Sequence, residues 1–99
     1  MEKLLLLTAI LITTQLHADT LKGGGYGACV SAELFKQFTS AVSKKDERLF
    51  QYLLKNGCIM TKPGTPISII DKSWTTARVR AYSGSGSIEL WTAAENIQK

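Results

Sequence analysis

Histidine is almost absent from this chain of 99 residues, which has only His17. That residue belongs to an N-terminal segment with the pattern of a cleaved signal, so we expect the mature chain to contain no histidine. Its absence excludes Ser-His-Asp and Cys-His catalysis, and it removes the commonest zinc ligand.

Long apolar runs are also missing. A membrane-spanning helix needs about 20 apolar residues, whereas the N-terminal apolar run extends only from Leu4 to Ile12. Lys3 precedes this run and a polar stretch ending in Ala18 follows it, which is typical of a secretory signal peptide. We therefore predict a signal peptide at residues 1–18, cleavage after about Ala18, a periplasmic location and no transmembrane span in the mature chain. A lipid anchor on Cys29 is the alternative, but Cys29 lies too far behind the apolar run.

The mature chain lacks a strong excess of charge of one sign. Removing residues 1–18 from 99 leaves 81 residues, and the net charge stays at +4 because Glu2 and Lys3 are lost together. No basic run exceeds Lys44-Lys45, and export argues further against nucleic-acid binding. There is no P-loop, nucleophile elbow or metal-ligand spacing, and 81 residues offer little wall for a catalytic cleft. We expect a single small domain that is not an enzyme and has no cofactor or metal.

The chain has only two cysteines, Cys29 and Cys58. In an oxidising compartment an even number of cysteines usually forms disulfides. A redox pair is the competing hypothesis, and the absence of a C-x-x-C spacing disfavours it. We predict a Cys29–Cys58 disulfide.

Two amphipathic helices are predicted between these cysteines. Ser31 and Asp46 are good N-caps, and Asn56-Gly57 is a strong helix stop. Apolar residues follow each cap at helical spacing: Leu34, Phe35, Phe38, Ala41 and Val42, then Leu49, Phe50, Leu53 and Leu54. We expect a helical hairpin at residues 29–58, closed at its open end by the disulfide. The basic turn of Lys44, Lys45 and Arg48 is either a solvated turn or a contact for an anionic partner.

Residues 19–28 precede the first cysteine and contain three consecutive glycines, Gly23 to Gly25. Glycine loses more conformational freedom on ordering than any other residue. We therefore predict a flexible leader at 19–28 and a single α+β domain at 29–99.

From residue 59 the pattern changes to strands. The sequence predicts strands at Thr65–Ile70, Trp74–Tyr82 and Ile88–Trp91, with a flexible loop at Ser83–Ser87. The alternation in the second strand sends Ala77, Val79 and Ala81 to one face and Trp74, Arg78, Arg80 and Tyr82 to the other. The β part is expected to occupy residues 59–99.

Three motifs in this part resemble the bacterial SH3-like barrel: Gly64 to Ile70, Ala77-Arg78-Val79-Arg80, and Leu90 to Ile97. Leu90-Trp91-Thr92 stands where that family has a G-W-V type strand. The resemblance implies a small antiparallel β-barrel or sheet and a binding module directed to cell-wall peptides or protein partners. The aromatic groove of the family would be represented by Trp74, Tyr82 and Trp91, although Trp91 is expected to be core.

Trp74, Arg78, Arg80 and Tyr82 are the candidate binding residues, since arginines beside aromatic rings can bind carboxylated or anionic groups. A solvated sheet face is the alternative. We expect an exported accessory protein that docks on an envelope protein complex, such as a conjugation or secretion machinery, or binds a peptidoglycan peptide. The alternative function is an inhibitor or toxin-like factor that acts on a wall enzyme or a competitor.

Overall fold

A computed structural model describes residues 19–99, so the predicted signal peptide lies outside the described residues. The structure combines two helices with one antiparallel sheet of seven strands, ordered β3-β2-β6-β5-β4-β1-β7. The elements are β1 Asp19–Leu21, β2 Gly27–Cys29, α1 Ala32–Ser43, α2 Glu47–Lys55, β3 Cys58–Met60, β4 Pro66–Lys72, β5 Thr76–Ser83, β6 Gly86–Ala93, a 3₁₀ turn Ala94–Asn96 and β7 Ile97–Gln98. Within residues 19–99, neither helix is long and apolar enough to cross a membrane.

The α+β class is therefore confirmed. Among the described strands, β3 and β7 each have one unpaired edge, so the sheet is not closed into a barrel. The three predicted C-terminal strands correspond to β4, β5 and β6 with shifted ends. A two-residue turn at Gly84-Ser85 replaces the longer predicted loop, because Gly84 takes a φ of 56°. The sequence pattern predicts Trp74 at the start of a strand, whereas in the structure it lies in the turn before β5.

Both helices begin at their predicted caps. The Leu34 N–H donates to Ser31 Oγ over 3.1 Å, and the Leu49 N–H donates to Asp46 Oδ1 over 3.1 Å. Each bond satisfies one of the N–H groups left free at a helix start. Gly57, after the end of α2, has a φ of 108° that favours glycine.

The predicted Cys29–Cys58 disulfide is present. The two cysteines lie directly opposite each other in the β2–β3 pair. Beside them, the Val30 N–H donates to the Gly57 carbonyl, so the cysteines occupy the closer, non-hydrogen-bonded kind of pair. The disulfide thus joins two strands of the sheet, with both helices in the chain between them.

The prediction of a flexible leader at residues 19–28 is wrong. β1 lies between β4 and β7, and β2 lies between β3 and β6. Leu21 and Ala28 are buried in the core. Residues 19–28 therefore belong to the folded domain, because tertiary contacts offset the entropic cost of ordering the glycines.

The fully buried Asn96 side chain holds the glycine segment in place. Its Oδ1 accepts from the Gly23 N–H at 3.0 Å, and its Nδ2 donates to the hydroxyls of Thr61 and Thr92 at 3.2 and 3.0 Å. The two hydroxyls in turn donate to the carbonyls of Tyr26 and Gly27. This network satisfies buried polar groups that would otherwise be costly.

Two apolar clusters lie on opposite faces of the sheet. The first is built from the strands alone and contains Leu21, Ala28, Ile67, Ala77, Val79, Ala81, Leu90 and Ile97. The second packs the helices against the disulfide and contains Cys29, Phe35, Phe38, Ala41, Leu53 and Cys58. Gly27 permits this contact, since a Cβ at that position would overlap the Phe38 ring. The helices cover the β2 end of the sheet. They leave to the solvent the outer face of β4 and β5, which carries Ser68, Ile70 and Arg80.

Candidate binding surface

Trp74 stands on the turn between β4 and β5, with 98% of its surface exposed. The turn is held by hydrogen bonds on both sides: the Ser73 N–H donates to the Thr76 carbonyl, and the Ala94 N–H donates to the Thr75 carbonyl, at 2.8 and 2.9 Å. The Thr76 N–H also donates to Ser73 Oγ. An ordered turn therefore presents a large apolar ring to the solvent.

Shallow depressions flank this turn on both sides. One, of about 630 Å³, is lined by Lys72, Ser73, Trp74, Ala94 and Glu95. The other, of about 410 Å³, lies against α1 and is lined by Ala32, Phe35, Lys36, Thr39, Thr75, Thr76 and Ala93. We call the turn with these two depressions the Trp74 surface.

Glu95 is oriented by a residue of the glycine-rich segment. The Tyr26 hydroxyl donates to Glu95 Oε1 over 3.0 Å. This hydrogen bond raises the pKa of Tyr26 above its ordinary value. Partial desolvation of the hydroxyl and the negative charge of Glu95 raise it further, by smaller amounts. The segment 19–28 therefore contributes to the Trp74 surface, which sequence reasoning did not anticipate.

The face assignment of β5 is confirmed: Ala77, Val79 and Ala81 are buried, while Arg80 and Tyr82 are exposed. The two arginines, however, share a carboxylate. Glu89 lies 2.9 Å from Arg80 Nη2 and 3.7 Å from Arg78 Nη1. Because Glu89 offsets one of the two charges, this ladder is a weaker anion site than two free arginines would be.

Trp91 lies under this ladder. The Arg78 guanidinium is 5.6 Å from the centre of the Trp91 ring, a distance at which cation–π attraction operates. The half-buried ring also packs against the helix-side cluster. Trp91 is therefore mainly a packing residue, as predicted, but it lies on the helix face and not among the residues around Val79.

Tyr82 is separated from Trp74. The two residues are at opposite ends of β5, and an eight-residue strand is about 26 Å long. The Tyr82 hydroxyl is 2.8 Å from Ser68 Oγ. The four predicted binding residues therefore form no single site: Trp74 marks one end, the arginine–Glu89 ladder the middle and Tyr82 the other end.

Sequence reasoning also missed Glu89 and the α1 residues of the second depression. Glu89 could have been found from a two-residue turn at Gly84-Ser85, because that turn sets Arg80 opposite Glu89. The contribution of α1 depends on how the helix packs over the sheet, which no local pattern encodes. Among residues 19–99, no three His, Cys, Asp or Glu side chains are close enough to hold a metal ion.

Comparisons with known proteins add no relative: no family model matches the chain, and neither a curated protein nor a solved structure is significantly similar to it.

Proposed function

We propose that the chain is a non-catalytic, exported accessory protein that docks on an envelope protein complex through the Trp74 surface. The observation that carries this proposal is the almost complete exposure of Trp74 on an ordered turn.

A fully exposed tryptophan leaves a large apolar area in water, and tryptophan is among the residues most enriched at the energetic centres of interfaces. Among the described residues, the next most exposed large apolar side chain is Tyr52, at 58%. Because hydrogen bonds already fix the turn, little backbone entropy is lost when a partner encloses the ring. The depressions beside the ring provide room for the partner's own side chains.

The polar groups near Trp74 suit binding better than catalysis. Lys72, Ser73 and Glu95 are all exposed, whereas catalytic groups are usually desolvated so that their pKa values match their task. The resemblance of residues 64–97 to bacterial SH3-like modules also supports a binding role, since such modules direct exported proteins to wall peptides or protein partners.

The proposed compartment is the periplasm. The signal-peptide pattern of residues 1–18 supports export, and a disulfide such as Cys29–Cys58 is stable in an oxidising compartment. Conjugation and secretion machineries are envelope complexes of the proposed kind. An inhibitor of a wall enzyme is the second candidate, favoured by the small size and the basic charge of +4.

The test is affinity capture from periplasmic extract with three forms of the mature protein: wild type, Trp74→Ala and Tyr52→Ala. Tyr52 is the matched control because it is an exposed aromatic residue on α2, away from the turn. We expect wild type and Tyr52→Ala to retain the same envelope subunits and Trp74→Ala to lose them. Retention by all three forms would contradict the role of Trp74, and recovery of a wall hydrolase would select the inhibitor function.

A further inference from the structure

A groove lies near the end of β5 that is distant from Trp74. It has a volume of about 370 Å³ and runs between β3 and the tip of the β5–β6 hairpin. Ile59 and Met60 of β3 line one side, and Tyr82 and Ile88 line the hairpin side. We call it the β3 groove.

The β3 groove is the open end of the strand-side core. Leu21, Ala81 and Leu90 form part of its lining and are buried. Ile59 is opposite Ala28 and Ile88 is opposite Ala81, so both isoleucines share the face of the core. Yet half of each isoleucine is exposed, 51% and 50%. Such a continuous apolar surface is typical of an interaction site, unlike single scattered apolar residues.

β3 also offers unpaired backbone groups. Among the strands of residues 19–99 it is an edge strand, paired with β2 alone. The Thr61 N–H donates to the Tyr26 carbonyl and the Val30 N–H to the Gly57 carbonyl. By the alternation of an antiparallel ladder, the backbone N–H and C=O of Met60 point to the free edge. An added strand can use these groups, because strand addition at sheet edges is a recurring form of peptide recognition.

The charge around the β3 groove is of one sign. Of the described residues that line it, only Lys62 is charged. No carboxylate occurs in the sequence between Arg48 and Asp71. The groove therefore complements a ligand that carries a carboxylate beside its apolar groups.

We propose that the β3 groove binds an extended segment of a partner protein that adds a strand to the edge of β3. The segment has apolar side chains at alternate positions, which contact Ile59 and Ile88, and an acidic residue beside Lys62. This proposal is independent of the Trp74 surface, which lies at the other end of β5.

Charge argues against a second copy of this chain as the occupant. Lys62 follows β3 in the sequence, and β3 itself, Cys58–Met60, carries no charge. Antiparallel pairing of two β3 strands about Ile59 would bring no carboxylate to Lys62 of either copy, because none occurs between Arg48 and Asp71. A lysine beside an edge strand is also a common protection of sheet edges against self-association.

The test uses two synthetic peptides with valine at alternate positions, one with a glutamate at each end and the other with a lysine at each end. Binding to the mature protein is followed by NMR up to millimolar peptide. We expect the acidic peptide to shift the amide signals of Met60 and Ile88 and to leave that of Trp74 in place. Ile88→Ser should weaken binding about fivefold or more, because it removes apolar contact area. Ile70→Ser is the matched control on the outer face of β4 and should have no effect.

A charge exchange provides the second variant. Lys62→Glu should weaken the acidic peptide and strengthen the lysine-ended one, each by about threefold, as expected for an exposed ion pair. Equal binding of the two peptides to wild type would overturn the proposal, as would the absence of shifts at Met60. A dimer in sedimentation that Ile88→Ser dissociates would overturn it in favour of a second copy.

Discussion

Single residues decide what the outer face of β5 can do. The alternation in the sequence places Arg78 and Arg80 on one face, and the structure agrees. Glu89 on the neighbouring strand then pairs with both. One carboxylate therefore changes a candidate anion site into a cross-strand ion-pair ladder, and the proposed binding role depends on Trp74.

The two tryptophans should differ in their effect on stability. Trp91→Ala removes a half-buried ring that packs against the helices and lies under Arg78, so we expect the free energy of unfolding to fall by about 2 kcal/mol. Trp74→Ala should change it by less than about 0.5 kcal/mol, because the ring is exposed. Urea denaturation of both variants measures the difference. A larger loss for Trp74→Ala would show that the turn depends on the ring.

Asn96 should contribute strongly to the free energy of unfolding, although its side chain is small. Asn96→Ala removes three buried hydrogen bonds and leaves the Gly23 N–H without its partner, at an expected cost of about 3 kcal/mol. Hydrogen exchange at Gly23 should accelerate in the variant. Asn56→Ala is the control, since its exposed amide makes one bond, to the Tyr52 carbonyl. Equal losses for the two variants would contradict the role assigned to the network.

At the scale of elements, β2 connects β3 to the rest of the sheet and supports α1. It pairs with β3 on one side and β6 on the other, and α1 packs against it. Gly27 gives α1 the space for this close approach, because Phe38 occupies the volume that a Cβ would need. The short strand therefore determines how the helices sit on the sheet.

Gly27→Ala tests this packing. We expect a loss of about 2 kcal/mol in the free energy of unfolding, since the added methyl group must displace the Phe38 ring. Gly86→Ala is the control, because a Cβ there would meet nothing within 4 Å. Adding Phe38→Leu to Gly27→Ala should cost less than the sum of the two single changes, a coupling that a double-mutant cycle measures. Additive losses would show that the glycine and the ring do not interact.

At the scale of the whole molecule, a small domain gains much of its stability from its disulfide. The bond spans 29 residues of sequence, for which chain entropy in the unfolded state is worth about 3 to 4 kcal/mol. That is a large share of the unfolding free energy typical of folded domains, about 5 to 15 kcal/mol. The same bond holds β3 in register beside β2, and β3 forms one side of the β3 groove.

Loss of the disulfide should therefore lower the stability of the entire domain. We expect the double variant Cys29→Ala, Cys58→Ala to lose about 2 to 5 kcal/mol in urea denaturation. Wild type measured with a reductant should fall to within about 1 kcal/mol of that variant, because both lack the cross-link. Alkylation of the oxidised protein under denaturing conditions should label no thiol. Two labelled thiols per chain would contradict the bond.

Local sequence patterns were sufficient for the elements whose cause is local. Ser31 and Asp46 determined where the two helices begin, and Gly57 determined where α2 ends, because caps act within one turn. The period-2 pattern of β5 determined which side chains are buried, and the even cysteine count with the spacing of the helices indicated the disulfide. Each of these inferences depends on chemistry within a few residues or on one covalent bond.

Tertiary structure decided the rest, because its causes are distant in sequence. The order of the glycine segment depends on Asn96, which is 73 residues away from Gly23. The pairing of both arginines depends on the register of β6, and the position of Trp74 on a turn and not within a strand depends on where β5 begins. The glycines of residues 19–28 predicted a flexible leader, because local composition reflects only the entropic cost of ordering them. The buried hydrogen bonds that offset this cost exist only in the folded chain.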